Sequence, residues 1–395
     1  MTFLLATLLS LMLAVVLIPV LLLLLQTLLA AAPLGAPPAV AGRRPRVAIL
    51  VPAHNEEAGV GATIASLQPQ LLEGDRILVV ADNCSDDTAG AVRRAGAEAR
   101  ERFDTERRGK GYALDFGVRC LEADAPEVVI IVDADCLAAP GAIDRLAREA
   151  LASGRPVQAL YLMEMPAGGG LMKKIGQFAW VVKNLVRPLG YHRLGMPCQL
   201  MGTGMAFTWP VISQAALASG HIVEDMKLGM DLALAGKPPL FSPHALVTSS
   251  FAASAEGADS QRTRWEHGHM SMIASEALPL LLRGLLRGRI MVVALALDMC
   301  VPPLALLALI AMALSAVALV FSLFTGAGLP LLLALLTMAG FGAAVLLAWA
   351  RHGRGILSAG DLLMAVFYIF KKIPLYCRFF INRQVEWVRS KRDSE

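Results

Sequence analysis

The chain has 395 residues, 56% of them hydrophobic, and a formal net charge of +4. It is too long and too apolar for one ordinary soluble domain, which argues for a membrane protein carrying a soluble part. The modest positive balance comes with no basic stripe interleaved with aromatics. This speaks against nucleic acid as a partner and fits membrane topology and contact with anionic membrane lipid.

The hydrophobicity is unevenly placed. Residues 3–32 and 299–350 carry no charge, whereas 43–289 alternate apolar and charged segments as a globular domain does. A helix needs roughly 20 apolar residues to cross the hydrocarbon core, and 2–32 exceeds this. No Lys or Arg precedes Arg43, so the stretch lacks the basic start of a cleaved signal and reads as an anchor. Segments 298–324 and 329–350 predict two further spans, the first interrupted near its start by Pro302 and Pro303. Segment 356–382 is apolar but broken by Asp361, Lys371, Lys372, Pro374 and Arg378, and is expected to lie in the interface.

Lys and Arg accumulate on the cytoplasmic side of membrane proteins. Here they follow the first span, precede the second and follow the third, which predicts a soluble domain in the cytoplasm, held at the inner (cytoplasmic) membrane. The expected organisation is an anchor over 1–42, a soluble domain over 43–276 and an amphipathic interfacial segment over 277–297. Two spans follow over 298–350, then an interfacial or membrane helix with a basic tail over 351–395. The cysteines form no CxxC and no regular framework, which suits a reducing compartment.

In the soluble part, "VAILV" at 47–51 ends in "PAHNEE" and is followed by apolar residues at helical spacing. The unit repeats as "RILVVADNCSDDT" before "AGAVRRAGAEA", and as "VVIIVDADC" before "PGAIDRLAREALAS". Strands alternating with helices predict βαβ units and a parallel sheet with right-handed crossovers. In each unit the polar cluster falls at the strand's carboxyl end, the edge where doubly wound sheets bind ligands. Asn55 and Glu56, Asp82 and Asn83, and Asp133 and Asp135 therefore converge on one crevice. The loop "RRGKGYAL" at 107–114 adds Lys110 between two glycines.

Asp133 and Asp135 are expected to project to the same side of an extended chain. A neighbouring carboxylate pair repels itself unless neutralised, and hard dications with oxygen ligands do this, Mg²⁺ typically with one or two carboxylates plus substrate phosphates. Any one of these residues has an ordinary structural use: Asp133 as a cap, Asp82 in an Asx-turn, Lys110 as a solvated charge. Their joint occurrence at successive strand ends favours a site. His267 and His269 lack a third spaced ligand and are expected to be structural or acceptor-side contacts rather than zinc ligands. "KKIGQFAWVVKNLVRPLGYHRLG" at 173–195 reads as an interfacial or core-facing amphipathic helix.

Taken in order, "PAHNEE", "ADNCSDD", "RGKGYAL", "DADC", "GTGMAF", "VEDMKLG" and "QRTRW" resemble the motif series of membrane-bound family 2 glycosyltransferases. Those enzymes have the GT-A fold, an α/β Rossmann-like nucleotide-diphospho-sugar domain. The resemblance covers about residues 47–270 and leans towards ceramide glucosyltransferases and the cellulose, hyaluronan and poly-N-acetylglucosamine synthases, through the Q-x-x-R-W element. It implies that Pro52, His54, Glu56, Asp82, Lys110 and Asp133 contact a nucleotide-sugar donor, with Asp82 on the base. Asp133 and Asp135 would hold Mg²⁺ or Mn²⁺ at the diphosphate. Asp225 would be the general base, with Glu224, Gln261, Arg264 and Trp265 completing the catalytic set, and Gly202, Thr203, Gly204 and Trp265 would face the acceptor. One departure is that Ala81 stands where the family commonly has a second acid before the Asp82 turn.

These roles make physical sense. Departure of a nucleoside diphosphate needs its growing charge neutralised, and a bidentate guanidinium such as that of Arg264 suits phosphate. Attack needs a carboxylate apart from the metal pair, and Asp225 is that acid. With no covalent nucleophile in the pattern, the resemblance implies inverting transfer. A polymer-extruding synthase needs a channel lined by several helices, because polar sugar cannot cross lipid exposed. Three or four spans are too few for a monomeric channel, which favours transfer of one sugar from a UDP-sugar to a lipid-linked acceptor for exopolysaccharide or glycolipid synthesis. Processive synthesis remains the alternative, since an oligomer or a partner would complete a channel. A non-catalytic nucleotide-sugar-binding subunit is the rival of another class, and a sugar nucleotidyltransferase would have no need of "QRTRW".

Overall fold

The computed structural model describes residues 1–40, 42–165, 170–221, 223–251 and 255–381. The basic tail expected beyond 381 and the glycines at 168 and 169 lie outside the described residues. The chain divides into two compact units, one of Met1–Leu34, Ala167–Gly195 and Glu266–Gln384, the other chiefly of Gly35–Pro166 and Met196–Trp265.

The second unit is built on one sheet of β1 (Val47–Ala53), β2 (Arg76–Asp82), β3 (Glu98–Arg102), β4 (Val128–Ile131), β5 (Leu137–Ala138), β6 (Val157–Glu164), β7 (Met205–Thr208) and β8 (Leu240–Ser250). Its order is β3-β2-β1-β4-β7-β6-β8-β5. The first four strands pair in parallel, as the repeated strand–helix pattern predicts. Their apolar runs are continuous because helices cover both faces of such a sheet, and Val47–Val51 and Val128–Ile131 are fully buried. The helix Lys110–Leu121 lies close on β1 and β2 because Gly117 has no Cβ, which would collide with the Leu50 and Val80 side chains.

The strands that follow pair in mixed directions, and this decides what meets at the carboxyl edge. β7 is antiparallel to β4, with Met205 opposite Ile131, so the residues before β7 lie beside those after β4. β5 is antiparallel to β8, with Leu137 opposite Thr248, which brings the end of β8 to the same place. The pair Asp133 and Asp135 differs from expectation. β4 stops at Ile131, and the acids sit in a tight turn closed by the Cys136 N–H donating to the Asp133 carbonyl at 3.0 Å. They meet because the chain turns, not because an extended strand alternates. The stretch expected as a loop around Lys110 instead becomes a helix at Lys110 itself.

The other unit is helical. Among the described residues, three helices are long and apolar enough to cross a membrane: Thr2–Ala30, Leu304–Thr325 and Gly328–Gly353, with mean hydropathies of 3.1, 2.8 and 2.4. The first packs on the other two through Leu9, Leu13, Ala318 and Ala334. Its last carbonyls, which no intrahelical N–H reaches, accept from Arg193 (at Leu29) and from His352 (at Ala30, 3.1 Å), and Arg193 also donates to the Ala32 carbonyl just past the helix at 2.6 Å. The span expected to begin at Asp298 begins at Leu304 instead. Pro302 and Pro303 separate it from a short helix, Ile290–Met299, to which Asp298 belongs. There Asp298 forms a buried ion pair with Arg187 at 2.9 Å and accepts from Gln26 Nε2 at 2.7 Å. The 356–382 segment forms two helices, Ala359–Phe370 and Ile373–Ile381. At roughly 1.5 Å rise per residue neither is long enough to cross. His267 and His269 are structural, their Nε2 atoms lying 3.1 Å from the carbonyls of Leu375 and Met299 respectively.

Candidate active site

The first two strand ends are locked to each other. Asn55 and Asn83, just past β1 and β2, both adopt the left-handed conformation, with φ of 54° and 51°. Asparagine tolerates it better than other side-chain-bearing residues. Asn55 exchanges hydrogen bonds with Ser85, and His54 Nδ1 lies 2.7 Å from the Asp82 carbonyl. The Glu56 N–H donates to Thr88 Oγ1 at 2.8 Å. Pro52 sits in β1 opposite Val80 of β2. The Asp82 carboxylate, nearly buried, accepts from Arg102 of β3 at 2.6 Å, and the same guanidinium reaches Asp104 and the Arg107 carbonyl. Arg102 was not singled out from the sequence, where it is one charge in the alternating strand "EARER".

In the third motif, Asp133, Asp135 and Cys136 each offer a ligand atom within 4.8 Å of the others. The Asp133 N–H donates to Thr203 Oγ1 at 3.0 Å, and Asp135 accepts from Ser249 Oγ at 3.4 Å and from the Cys136 thiol at 3.3 Å. Burial pushes the Asp133 carboxyl up, Lys110 opposes this, and Asp135 adds to it. Burial and the two carboxylates push the Cys136 thiol well up. The two carboxylates are hard oxygens carrying excess negative charge, which fits Mg²⁺ or Mn²⁺.

Lys110 is the cation of this cluster. Its ammonium pairs with Asp133, donates to the Gly202 carbonyl at 2.9 Å and stands 4.0 Å from Glu224 Oε1. Burial works against its charge, but Asp133, Glu224 and Asp225 outweigh burial and raise its pKa. Glu224 and Asp225 open the helix Glu224–Leu234, where carboxylates meet the positive end of the helix dipole. Burial pushes Glu224 up to about 7, with Lys110 opposing and Asp225 adding. A Cβ built on Gly202 would lie 3.4 Å from Asp225 Oδ2 and 3.5 Å from Lys110 Nζ. Asp133, Lys110, Glu224, Asp225 and Gly202 thus surround one small region.

Gln261, Arg264 and Trp265 lie on the helix Ala255–Met272 at i, i+3 and i+4, hence on one helix face. Arg264 is half-buried and forms no ion pair among the described residues. Two of the residues expected to face the acceptor do something else. Thr203 is fully buried and its hydroxyl holds the Asp133 backbone. Gly204, at φ +64°, packs against Ala159 and Val247. Both are buried under the metal-type turn because β7 runs antiparallel beside β4. The supports that sequence reading missed are Thr203 in this role, Ser249, and Gln158. The buried Gln158 amide donates to the Thr203 carbonyl at 2.9 Å and accepts from the Met201 N–H at 2.8 Å. Gln158 carries a faint signal, a polar residue inside the apolar run "VQALYLM". Thr203 and Ser249 carry none.

A mixed α/β sheet carries an acidic turn at its carboxyl edge, faced by a lysine and a second acidic pair, at the edge where such sheets bind ligands. Residues 45–268 match the model of the "Glycosyltransferase like family 2" family, more than half of the chain. The protein belongs to that family and is a glycosyltransferase using nucleotide-sugar donors. No curated protein matches the chain. Among solved structures it is similar to the mannosyltransferase PcManGT from Pyrobaculum calidifontis, in complex with GDP-Man and Mn²⁺. That likeness has 18% identity and a TM-score of 0.52, covering 88% of this chain and 100% of that one. Glucosyl-3-phosphoglycerate synthase from Mycobacterium tuberculosis, in complex with Mn²⁺, UDP and glucosyl-3-phosphoglycerate, matches at 20% identity and a TM-score of 0.40. It covers 58% of this chain and 79% of that one. At these identities the likeness speaks to the fold alone.

Proposed function

We propose that the protein transfers one sugar, with inversion, from a nucleotide-diphosphate donor to a lipid-linked acceptor at the cytoplasmic face of the membrane, with a UDP-sugar as the favoured donor. The observation that carries this reading is the convergence of Asp133, Lys110, Glu224 and Asp225 around Gly202. Acids and a cation in one pocket match a diphosphate leaving group and an acceptor hydroxyl held together. The three apolar helices on the same chain favour an acceptor that resides in the membrane. PcManGT holds GDP-Man and Mn²⁺ in a related fold, a precedent for both donor class and metal.

In this reading Asp82, oriented by Arg102, faces the nucleotide base, and Pro52, His54 and Glu56 line the same edge. Asp133 and Asp135 would hold Mg²⁺ or Mn²⁺, which when bound supplies a Lewis acid that neutralises diphosphate charge. Arg264, a guanidinium without an ion-pair partner among the described residues, meets the charge that grows on the leaving group. Asp225 takes the acceptor proton as its oxygen attacks the anomeric carbon. Its Oδ1 is fixed by the Met226 N–H at 2.8 Å. Gln261 and Trp265 close the acceptor side from the same helix face as Arg264.

The test is nucleotide release by purified protein with native lipid extract, across UDP- and GDP-sugars, with and without Mn²⁺, beside Asp225→Asn. The expected outcome is metal-dependent release from one donor with a one-sugar mass shift of a lipid, lost in the variant. A ladder of masses would replace single transfer by processive synthesis. Nucleotide binding without release from any donor would refute the enzyme reading.

A further inference from the structure

Lys110 has a feature that donor binding alone does not require. Its ammonium does not stand free in the pocket, waiting for a phosphate. It is paired directly to Asp133, the carboxylate that the proposed reading gives to the metal, and its charge is further held by the Gly202 carbonyl at 2.9 Å. A dication and an ammonium cannot both sit against one carboxylate oxygen, because two like charges a few ångströms apart repel strongly in a poorly solvated site. The Lys110 side chain is only 17% exposed, so water screens little of this conflict.

The pocket also contains a second berth for the ammonium. Glu224 Oε1 stands 4.0 Å from Nζ, and Asp225 Oδ2 lies 3.4 Å from the point where a Cβ on Gly202 would stand, itself 3.5 Å from Nζ. A compact point charge on a four-carbon stem is suited to such a short swing, as a planar guanidinium is not. Lys110 opens the helix Lys110–Leu121, so its backbone stays fixed while the side chain moves.

We propose that Lys110 is a tethered competitor for the metal: it occupies Asp133 until a donor diphosphate arrives, then yields the carboxylate to the dication and turns to the diphosphate and Glu224. This inference rests on the reading that Asp133 and Asp135 hold the metal. Its consequence is an order of assembly. The dication binds weakly to the enzyme alone and tightly with the nucleotide, so metal and donor enter as cooperating ligands.

The test is Mn²⁺ binding to the full-length protein in detergent, followed by the electron paramagnetic resonance signal of free Mn²⁺, with and without UDP or GDP. Lys110→Met and Lys110→Gln are compared with wild type, and Asp135→Asn is added in the Lys110→Met background. The expected result is nucleotide-free Mn²⁺ binding tightened by roughly ten- to hundredfold in both Lys110 variants, the range of coupling between neighbouring sites. Asp135→Asn should abolish the gain. If the variants melt like wild type but bind Mn²⁺ no more tightly, while wild type still binds it with nucleotide, the competitor role is overturned and the metal reading stands. If wild type binds no Mn²⁺ with any nucleotide and the variants bind none, the metal reading fails and takes this inference with it.

Discussion

Gly204→Ala tests whether the site's geometry is set from beneath. Gly204 has φ +64°, and a Cβ there would lie 2.7 Å from Ala159 Cβ and 3.0 Å from Val247 Cγ2. The left-handed conformation costs a non-glycine residue about 1–2 kcal/mol, and forcing a methyl into a packed core costs about 1–3 kcal/mol. The sum is about 2–5 kcal/mol. The strain has little room to dissipate, because the Ala159 N–H donates to the Gly204 carbonyl at 2.8 Å. The nearest release is a shift of Thr203, whose hydroxyl holds the Asp133 backbone and whose carbonyl is held by Gln158. The substitution should therefore lower both the melting temperature and the affinity for Mn²⁺ with nucleotide. Gly61→Ala is the control in the same unit: it lies in the helix Val60–Leu67 with nothing within 4 Å of its Cβ position. It should stabilise by about 0.4–1 kcal/mol through the unfolded state. Thermal unfolding in detergent and Mn²⁺ titration provide the readouts. Gly204→Ala melting with wild type, and binding Mn²⁺ as wild type does, would refute the claim that Gly204 and Thr203 form the base of the site.

Two further outcomes concern the helical unit. Arg187→Met removes the cation from a buried pair whose side chains are 6% and 9% exposed, and should destabilise by about 3–5 kcal/mol; adding Asp298→Leu should recover most of the loss in melting temperature. His269, whose pKa is lowered to about 3 by burial and by the nearby Lys183 and Arg187, stays neutral in the fold while its unfolded counterpart binds a proton near 6.5. The unfolded chain thus binds more protons between those values, so stability should fall as pH drops below about 6.5, by up to about 1.4 kcal/mol per pH unit. Melting of His269→Gln should depend less on pH across 7 to 5 than wild type, and an equal dependence would show that another group is responsible.

What could be read from the sequence, and what could not, divides along a physical line. Val47–Val51 and Val128–Ile131 were legible as strands because a sheet buried on both faces demands unbroken apolar runs. Their terminal acids were legible because a carboxylate in such a place is costly unless it serves something. The same logic exposed the three helices long and apolar enough to cross a membrane, since such a crossing demands length and lack of charge. Thr203, Ser249 and Gln158 gave no comparable sign. They are neutral, cheap to place anywhere, and their task is set by the antiparallel pairing of β7 beside β4 and of β8 beside β5, between residues 70 and 114 positions apart. No local periodicity encodes such a meeting. Asp298 was misplaced for a related reason: its apolar neighbours favour a span, but Arg187, distant in sequence, satisfies the charge in a short helix ended by Pro302 and Pro303. Lys110 lies on the dividing line. Its charge marked it as part of the site, but its partner was hidden, because Asp133 reaches it only through the turn that ends β4. The ion pair is therefore tested as a control on the metal proposed to bind at Asp133.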